Sequence, residues 1–496
     1  MLIAILTATL IFIVHQMFWR RRKLPPGPIP LPIIGNISQA LSIEKPGYKF
    51  FSQLKEKYGD ISTLTCMFLD VVYILDWDLI KKTIIHDGNS YTGRPIWPIV
   101  RELRGGDYGI IETDGDRWKV HRRFFVQLLR NFGMGKSLVE QRVLAEVRCM
   151  IDRLKRRNAY EPVDICNHIK FAVGSITYQI LFGNYSDEEK VQEFLRLYHS
   201  LDHILKEVSE VCGILLIAFP AFRHLPYFRQ KYQRIVNDFD KAMDFFDNKI
   251  SEHQRKIDFE SENSSCYVEC YLKEMNKFGD QPDFGGFEII QLKNACMDFT
   301  VGGIEVTMLT IMWAVLYILH HPEVAKKMQE ELDKQIGGDR MVTMDDKPQL
   351  VYINAVINET QRLANILVHN FPHMNNVDVD INGYHIPART IIVPQISTVM
   401  YDEKVFPEPY KFKPERHLNP DGSLRKIDQL CPFSIGKRKC PGEGMARVEL
   451  FLIIANLYNQ FEVLPVDPEN LPSTEKDLGI ILKPQYFSVF MKARFE

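Results

Sequence analysis

Apolar residues fall along this chain in three patterns. The first is a nearly charge-free run over residues 1–19, closed by Arg20-Arg21-Arg22-Lys23. At about 1.5 Å of rise per residue, such a run is just long enough to cross the hydrocarbon core of a bilayer as a helix. Positive charge after the run, not before it, predicts a retained signal anchor whose flank stays in the cytosol, rather than a cleaved signal peptide. The second pattern is the short stretch rich in β-branched and aromatic residues at 61–75, 377–393 and 478–491, which predicts strands. The third is the helical period, and it dominates the remainder. It predicts helices over 118–130, 138–157, 187–207, 230–257 and 286–319.

These elements predict a mainly α fold with small β-sheets (class α+β), built as one large domain over 37–496 behind the transmembrane segment. Residues 20–36 join the basic stop-transfer cluster to Leu24-Pro25-Pro26-Gly27-Pro28-Ile29-Pro30-Leu31-Pro32. That segment holds too much proline for a helix and suits a stiff spacer that sets how the body sits on a bilayer. The apolar stretch at 213–228 reads equally as core or as a flap dipping into lipid. Composition changes little. With 46% hydrophobic and 25% charged residues, a 496-residue chain is an ordinary globular protein, and a formal net charge of −2 gives no reason to expect nucleic acid.

The nine cysteines are scattered and odd in number, which favours reduced thiols over a disulfide framework. Cys266 and Cys270 form a Cys-x3-Cys pair, with no neighbouring His or further Cys in the sequence to complete a zinc site. Cys440 stands apart, in Phe433-Ser434-Ile435-Gly436-Lys437-Arg438-Lys439-Cys440-Pro441-Gly442, a glycine-punctuated loop ahead of an apolar helix over 445–459. Pro441 is at home in a first helical turn. The helix N-terminus and the three cations Lys437, Arg438 and Lys439 would lower the thiol pKa and favour thiolate. A thiolate there is able to serve as the single proximal ligand of a haem iron. No P-loop, Gly-x-Ser-x-Gly elbow or His-Glu-x-x-His occurs, so nothing suggests a kinase, hydrolase or metalloprotease.

The decapeptide resembles the haem-binding loop Phe-x-x-Gly-x-Arg-x-Cys-x-Gly of the cytochrome P450 family at every fixed position: Phe433, Gly436, Arg438, Cys440 and Gly442. Three further motifs follow the family's order and spacing. Glu359-Thr360-Gln361-Arg362 resembles its Glu-x-x-Arg helix, Lys413-Pro414-Glu415-Arg416 its Pro-Glu-Arg segment, and Trp118-x-x-x-Arg122 the helix that meets a haem propionate. His417 stands where the family commonly has an aromatic residue.

The resemblance covers the whole chain and is nearest the microsomal branch that handles drugs, steroids and fatty acids. It implies haem b (iron protoporphyrin IX) with Cys440 as axial metal ligand, and Trp118, Arg122, His373 and Arg438 as propionate partners. Glu359, Arg362 and Arg416 would form a three-way ion cluster behind the haem. The implied activity is NADPH- and O2-dependent insertion of one oxygen atom into a small apolar xenobiotic, fatty acid or steroid. Electrons would come from a flavoprotein reductase, with a small b-type cytochrome as a further partner. Arg123, Arg130, Lys136, Lys437, Lys439 and Arg447 would make the docking face. The implied location is the endoplasmic reticulum membrane, with the catalytic domain facing the cytosol.

Within 286–319, Gly302-Gly303 predicts a local distortion, since each glycine costs about 1 kcal/mol relative to Ala in a helix. By the same resemblance Glu305 is the acid of the proton relay, but the threonine expected next is Val306, which cannot donate a hydrogen bond. Thr307 lies one position on, about 100° around the helix, and is the substitute candidate. That departure keeps two other readings open. One is a reductase-independent isomerase or dehydratase of lipid hydroperoxides, and the other a non-catalytic haem protein that senses ligands.

Overall fold

The computed structural model describes residues 3, 7, 11–19, 21–41, 48–67, 69–133, 137–183, 188–261, 263–278, 286–338, 340–367, 369–477 and 481–495. In chain order the longer helices are α1 (Tyr48–Tyr58), α2 (Pro98–Arg104), α3 (Gly115–Gly133), α4 (Ser137–Lys155), α5 (Ile165–Phe182), α6 (Glu188–Ser209) and α7 (Val211–Ala218). They continue as α8 (Pro226–Lys256), α9 (Tyr267–Phe278), α10 (Ile289–Leu319), α11 (Pro322–Gln335), α12 (Val351–Ala364) and α13 (Glu443–Gln460). The predicted helices are present as α3, α4, α6, α8 and α10, so the mainly helical fold is as expected.

Sequence explains why α10 is central. It is apolar on nearly every side, and a helix of that kind belongs inside a protein or a membrane. It is the one helix among the described residues long and apolar enough to span a bilayer, yet 78% of its most apolar window is buried by the protein itself. It packs against α5, α8, α12 and α13. Its neighbour α8 is amphipathic: Ile235, Phe239, Ala242, Phe246 and Ile250 recur three and four apart and are all buried. The expected distortion at Gly302-Gly303 is absent, because α10 is helical without interruption from Ile289 to Leu319. The glycines serve space instead. A Cβ on Gly303 would come within 3.3 Å of Thr177 on α5, while one on Gly302 would meet nothing within 4 Å. Gly302 is exposed in the middle of a buried helix, which marks an internal hollow on that side.

The strands form small sheets beside the helices. The β-rich stretch expected at 61–75 is present as an antiparallel pair, β1 (Ile61–Cys66) and β2 (Leu69–Ile74). With β3 (His373–Met374) and β6 (Ile391–Pro394) they make a four-stranded sheet in the order β1-β2-β6-β3, in which β2 and β6 run parallel. Two-stranded pairs are made by β4 (Val379–Ile381) with β5 (Tyr384–Ile386), β7 (Phe461–Pro465) with β10 (Val489–Ala493), and β8 (Lys476–Asp477) with β9 (Lys483–Pro484).

The proline-rich segment is laid along β1. The Thr63 N–H donates to the Pro26 carbonyl at 2.9 Å, and the Asn36 N–H to the Thr65 carbonyl at 2.6 Å. Arg21 donates to the carbonyls of Pro28 and Thr63. Only glycine fits at position 27, where a Cβ would fall 2.0 Å from the Thr63 oxygen. At 213–228, α7 and the short turn Pro220–His224 lead into α8, with Phe222 stacked on Phe228 at 5.0 Å. Ile214, Leu225 and Tyr227 remain exposed there, so the stretch is not simply core.

Candidate active site

The Cys440 loop is fixed by its own backbone. The Cys440 N–H donates to the Phe433 carbonyl at 2.9 Å and the Lys439 N–H to that of Gly436 at 3.1 Å. Gly436 has φ +74°, and a Cβ there would fall 2.2 Å from the Ile84 oxygen, so both conformation and space require glycine. Gly442 is the N-cap of α13, which places Pro441 just before the helix rather than in its first turn. The structure corrects the expected charge environment. Lys437 is turned to the Asn89 side chain, Arg438 to backbone carbonyls, and Lys439 to Glu443 at 2.5 Å. Arg122 supplies the facing positive charge instead. Cys440 is open to solvent, but the protein packed around it pushes its thiol above the ordinary range, against the lowering influence of the Gly442 and Glu443 N–H groups and of Arg122.

Trp118 and Arg122 share a face of α3, one turn apart, with the Arg122 guanidinium 5.7 Å from the indole centroid. Arg438 lies over the same indole at 3.8 Å and donates to the carbonyls of Thr92 (2.8 Å) and Thr113 (2.5 Å). His373, on β3, has its Nδ1 2.7 Å from the Tyr91 carbonyl, and burial together with Arg94 and Arg438 holds its pKa at about 3. These four expected residues come together, and they have a fifth companion that sequence reasoning missed. Arg94 is buried and donates to the carbonyls of Ile111 (3.0 Å) and Pro372 (2.6 Å). No local motif flags it, because its setting is made by chain almost three hundred residues away. The Ile110 and Ile111 N–H groups are held in turn by Asp298 of α10, which also pairs with Arg104 at 2.6 Å.

A haem fits this set of side chains. Burial lowers Arg438 to about 8 and Arg94 to about 10, and the repulsion among Arg94, Arg122 and Arg438 is only partly offset by Glu112 and Asp114, a strain that two further carboxylates would relieve. The Trp118 Nε1–H is buried and finds no hydrogen-bond partner among the described residues, as a donor reserved for an acceptor from outside the chain would. With a cysteine sulfur available opposite, the donors match a dianionic, iron-bearing group.

Behind the loop, Glu359 is wholly buried and grips several partners. Arg362 donates to both of its oxygens, at 2.8 and 2.9 Å, and Arg416 donates to Oε1 at 2.9 Å. His417 Nε2 lies 2.9 Å from Oε2, so the three-way cluster is in fact four-way. Burial alone would raise the Glu359 carboxyl, but Arg362 and His417 outweigh it and hold it at about 2.

Along α10, Val306 and Thr307 line a cavity with Asn365, Ile366, Phe433 and Ala446. Glu305 and Thr307 are not brought together, since two positions along a helix is about 200° of rotation. Glu305 is fully buried and pairs with Lys483 of β9 at 2.7 Å, and Lys483 also reaches Asp202 of α6 at 2.6 Å. Thr307 instead faces Glu449 of α13, whose buried carboxyl makes no hydrogen bond within normal distance among the described residues and is pushed by burial up to about 8. Lys483 and Glu449 were not foreseen, as each is an ordinary charged residue until the fold buries its partner. Of the expected docking cations, Arg447 pairs with Glu443 at 3.0 Å, Arg123 and Arg130 are exposed, and Lys136 lies outside the described residues.

Known proteins resemble this chain over nearly its whole length. The sequence profile of the cytochrome P450 family matches residues 25–491. The chain is 34% identical over 472 residues to "Cytochrome P450 2C16" of Oryctolagus cuniculus, covering 95% of this chain and 94% of that protein. It is also 34% identical over 500 residues to "Cytochrome P450 2C20" of Macaca fascicularis, with 98% of each covered. Against "Cytochrome P450 2H1" of Gallus gallus it is 34% identical over 452 residues, with 90% of each covered. The chain belongs to the cytochrome P450 family of haem-thiolate monooxygenases.

Proposed function

We propose that this protein inserts one oxygen atom from O2 into small apolar molecules, using NADPH-derived electrons passed on by a membrane-bound flavoprotein reductase. The observation that carries the reading is the convergence of Trp118, Arg122, His373, Arg438 and Arg94 beside the Cys440 loop. Arg94, Arg122 and Arg438 would neutralise the two propionates and Trp118 and His373 would help to orient them, while Phe433, Gly436 and Gly442 shape the loop that presents the sulfur. When bound, haem supplies the electron-transfer and oxygen chemistry. Glu359, Arg362, Arg416 and His417 brace the chain behind it. On α10, Glu305 and Thr307 are the proton-holding groups, and the exposed glycine surface at Gly302 leaves room for substrate.

Residues 1–19 act as the anchor in the endoplasmic reticulum membrane, 20–36 as the bracket, and 37–496 as the catalytic domain turned to the cytosol. The exposed Ile214, Leu225 and Tyr227 suit contact with the same bilayer. Arg123, Arg130, Lys437, Lys439 and Arg447 form the reductase-facing surface.

The first test is the carbon-monoxide difference spectrum of the reduced, haem-loaded protein beside Cys440→Ala. The expected result is a red-shifted thiolate band that the substitution abolishes, followed by NADPH- and reductase-dependent oxygenation of an apolar probe. Loss of the band from folded, haem-loaded wild type would overturn the ligand assignment. A second reading, isomerisation of lipid hydroperoxides, is favoured by Val306 and by the Thr307 contact with Glu449. It would be supported by rapid hydroperoxide consumption without reductase, and by no turnover with it.

A further inference from the structure

The sequence offered no partner for the Cys266/Cys270 pair, but the fold supplies one. His253 near the end of α8, Cys266 just ahead of α9, and Glu269 in the first turn of α9 bring one ligand atom each within 4.8 Å of one another. We propose that these three side chains form a zinc site that staples α8 to α9, with water as the fourth ligand.

The chemistry of the donors selects the ion. One sulfur, one imidazole nitrogen and one carboxylate oxygen are a tetrahedral zinc set, and the sulfur disfavours magnesium or calcium. Thiolate plus carboxylate balances the 2+ charge, so a half-buried site closes with no net charge. Binding releases the Cys266 thiol proton to solvent as the sulfur–zinc bond forms.

Geometry adds two points. Oε2 of Glu269 accepts from the Ser265 N–H (2.8 Å) and hydroxyl (3.0 Å), which leaves Oε1 turned to His253 Nδ1 at 3.6 Å. That separation is too long for a hydrogen bond but close to the roughly 3.4 Å expected between nitrogen and oxygen ligands of one tetrahedral zinc. The His253 ring lies within 26° of parallel to the Phe182 ring, with centroids 6.3 Å apart. Nearby, Arg142 donates to the Ser265 carbonyl at 3.0 Å, one residue ahead of Cys266. Cys266 itself is fully buried, so the ion would bind at the edge that His253 and Glu269 leave partly open.

The test is equilibrium dialysis of chelator-stripped, haem-loaded protein against buffered zinc chloride, with zinc counted against haem iron by elemental analysis. Haem loading occupies Cys440 and reports folding. One zinc per iron is expected for wild type, with at least tenfold weaker binding in His253→Ala, Glu269→Gln and Cys266→Ser. X-ray absorption at the zinc edge is expected to show one sulfur among nitrogen and oxygen ligands. His253→Ala and Glu269→Gln carry the test should Cys266→Ser fail to load haem. Zinc bound equally by wild type and His253→Ala, or a shell without sulfur, would overturn the proposal.

Discussion

At the scale of single residues, the buried carboxyls set opposite pH dependences. Glu359 is held near 2 in the folded protein against an ordinary 4.5. Its contribution is therefore complete above pH 4.5 and is lost as pH falls from there through 2, amounting to about 3 kcal/mol at roughly 1.4 kcal/mol per tenfold change in proton affinity. His417→Phe, which installs the family's commoner residue type, removes one bond to that carboxylate but leaves both Arg362 bonds. A loss of about 1.5–3 kcal/mol is expected, read as a lower thermal midpoint of the haem-loaded protein at pH 7. Glu449 behaves the other way. Its carboxyl is pushed up to about 8, so it weakens the fold progressively as pH rises from 4.5 through 8. Glu449→Gln is expected to raise the thermal midpoint at pH 9 and to change it little at pH 5, and the reverse order would refute the assignment. The sequence made Cys440 and Glu359 legible because each sits in a contiguous motif. Arg94, His417, Glu449 and Lys483 were not, because what distinguishes them is a partner such as the Pro372 carbonyl, 278 positions from Arg94.

At the scale of elements, α10 shows which features of a helix a pattern conveys. Its presence and length were legible from the helical period of its apolar residues, but the reason for Gly302-Gly303 was not. A glycine pair reads as a weak point when only propensity is known. In the folded protein one glycine admits Thr177 and the other borders a hollow. Gly302→Ala is therefore expected to stabilise the protein by up to about 1 kcal/mol, since helix propensity is gained and no contact is strained. Gly302→Leu is expected to keep folding and haem content while weakening the binding of bulky apolar probes severalfold, measured by spectral titration. Equal affinity in both variants would show that the hollow takes no substrate.

At the scale of the whole molecule, distant segments meet where charge is concentrated. Arg94, Arg122 and Arg438 come from three parts of the chain and repel one another inside the protein. Such an arrangement stores its advantage in the haem-bound state, because anything that binds only the folded form stabilises it. Arg438→Leu is expected to narrow the gap between the thermal midpoints of haem-loaded and haem-free protein, and to speed haem loss. An unchanged gap would mean that the cation does not serve the propionates. A different consequence follows from the proline-rich segment bonded along β1. A free linker acts as a leash, and its length fixes only how far the attached body roams. A segment clamped at Pro26, Pro28 and Asn36 acts as a mounting bracket, which transmits tilt and torque instead of absorbing them. Whatever holds Arg21 therefore also orients the sheet, and reach is not traded for flexibility between Arg21 and Asn36.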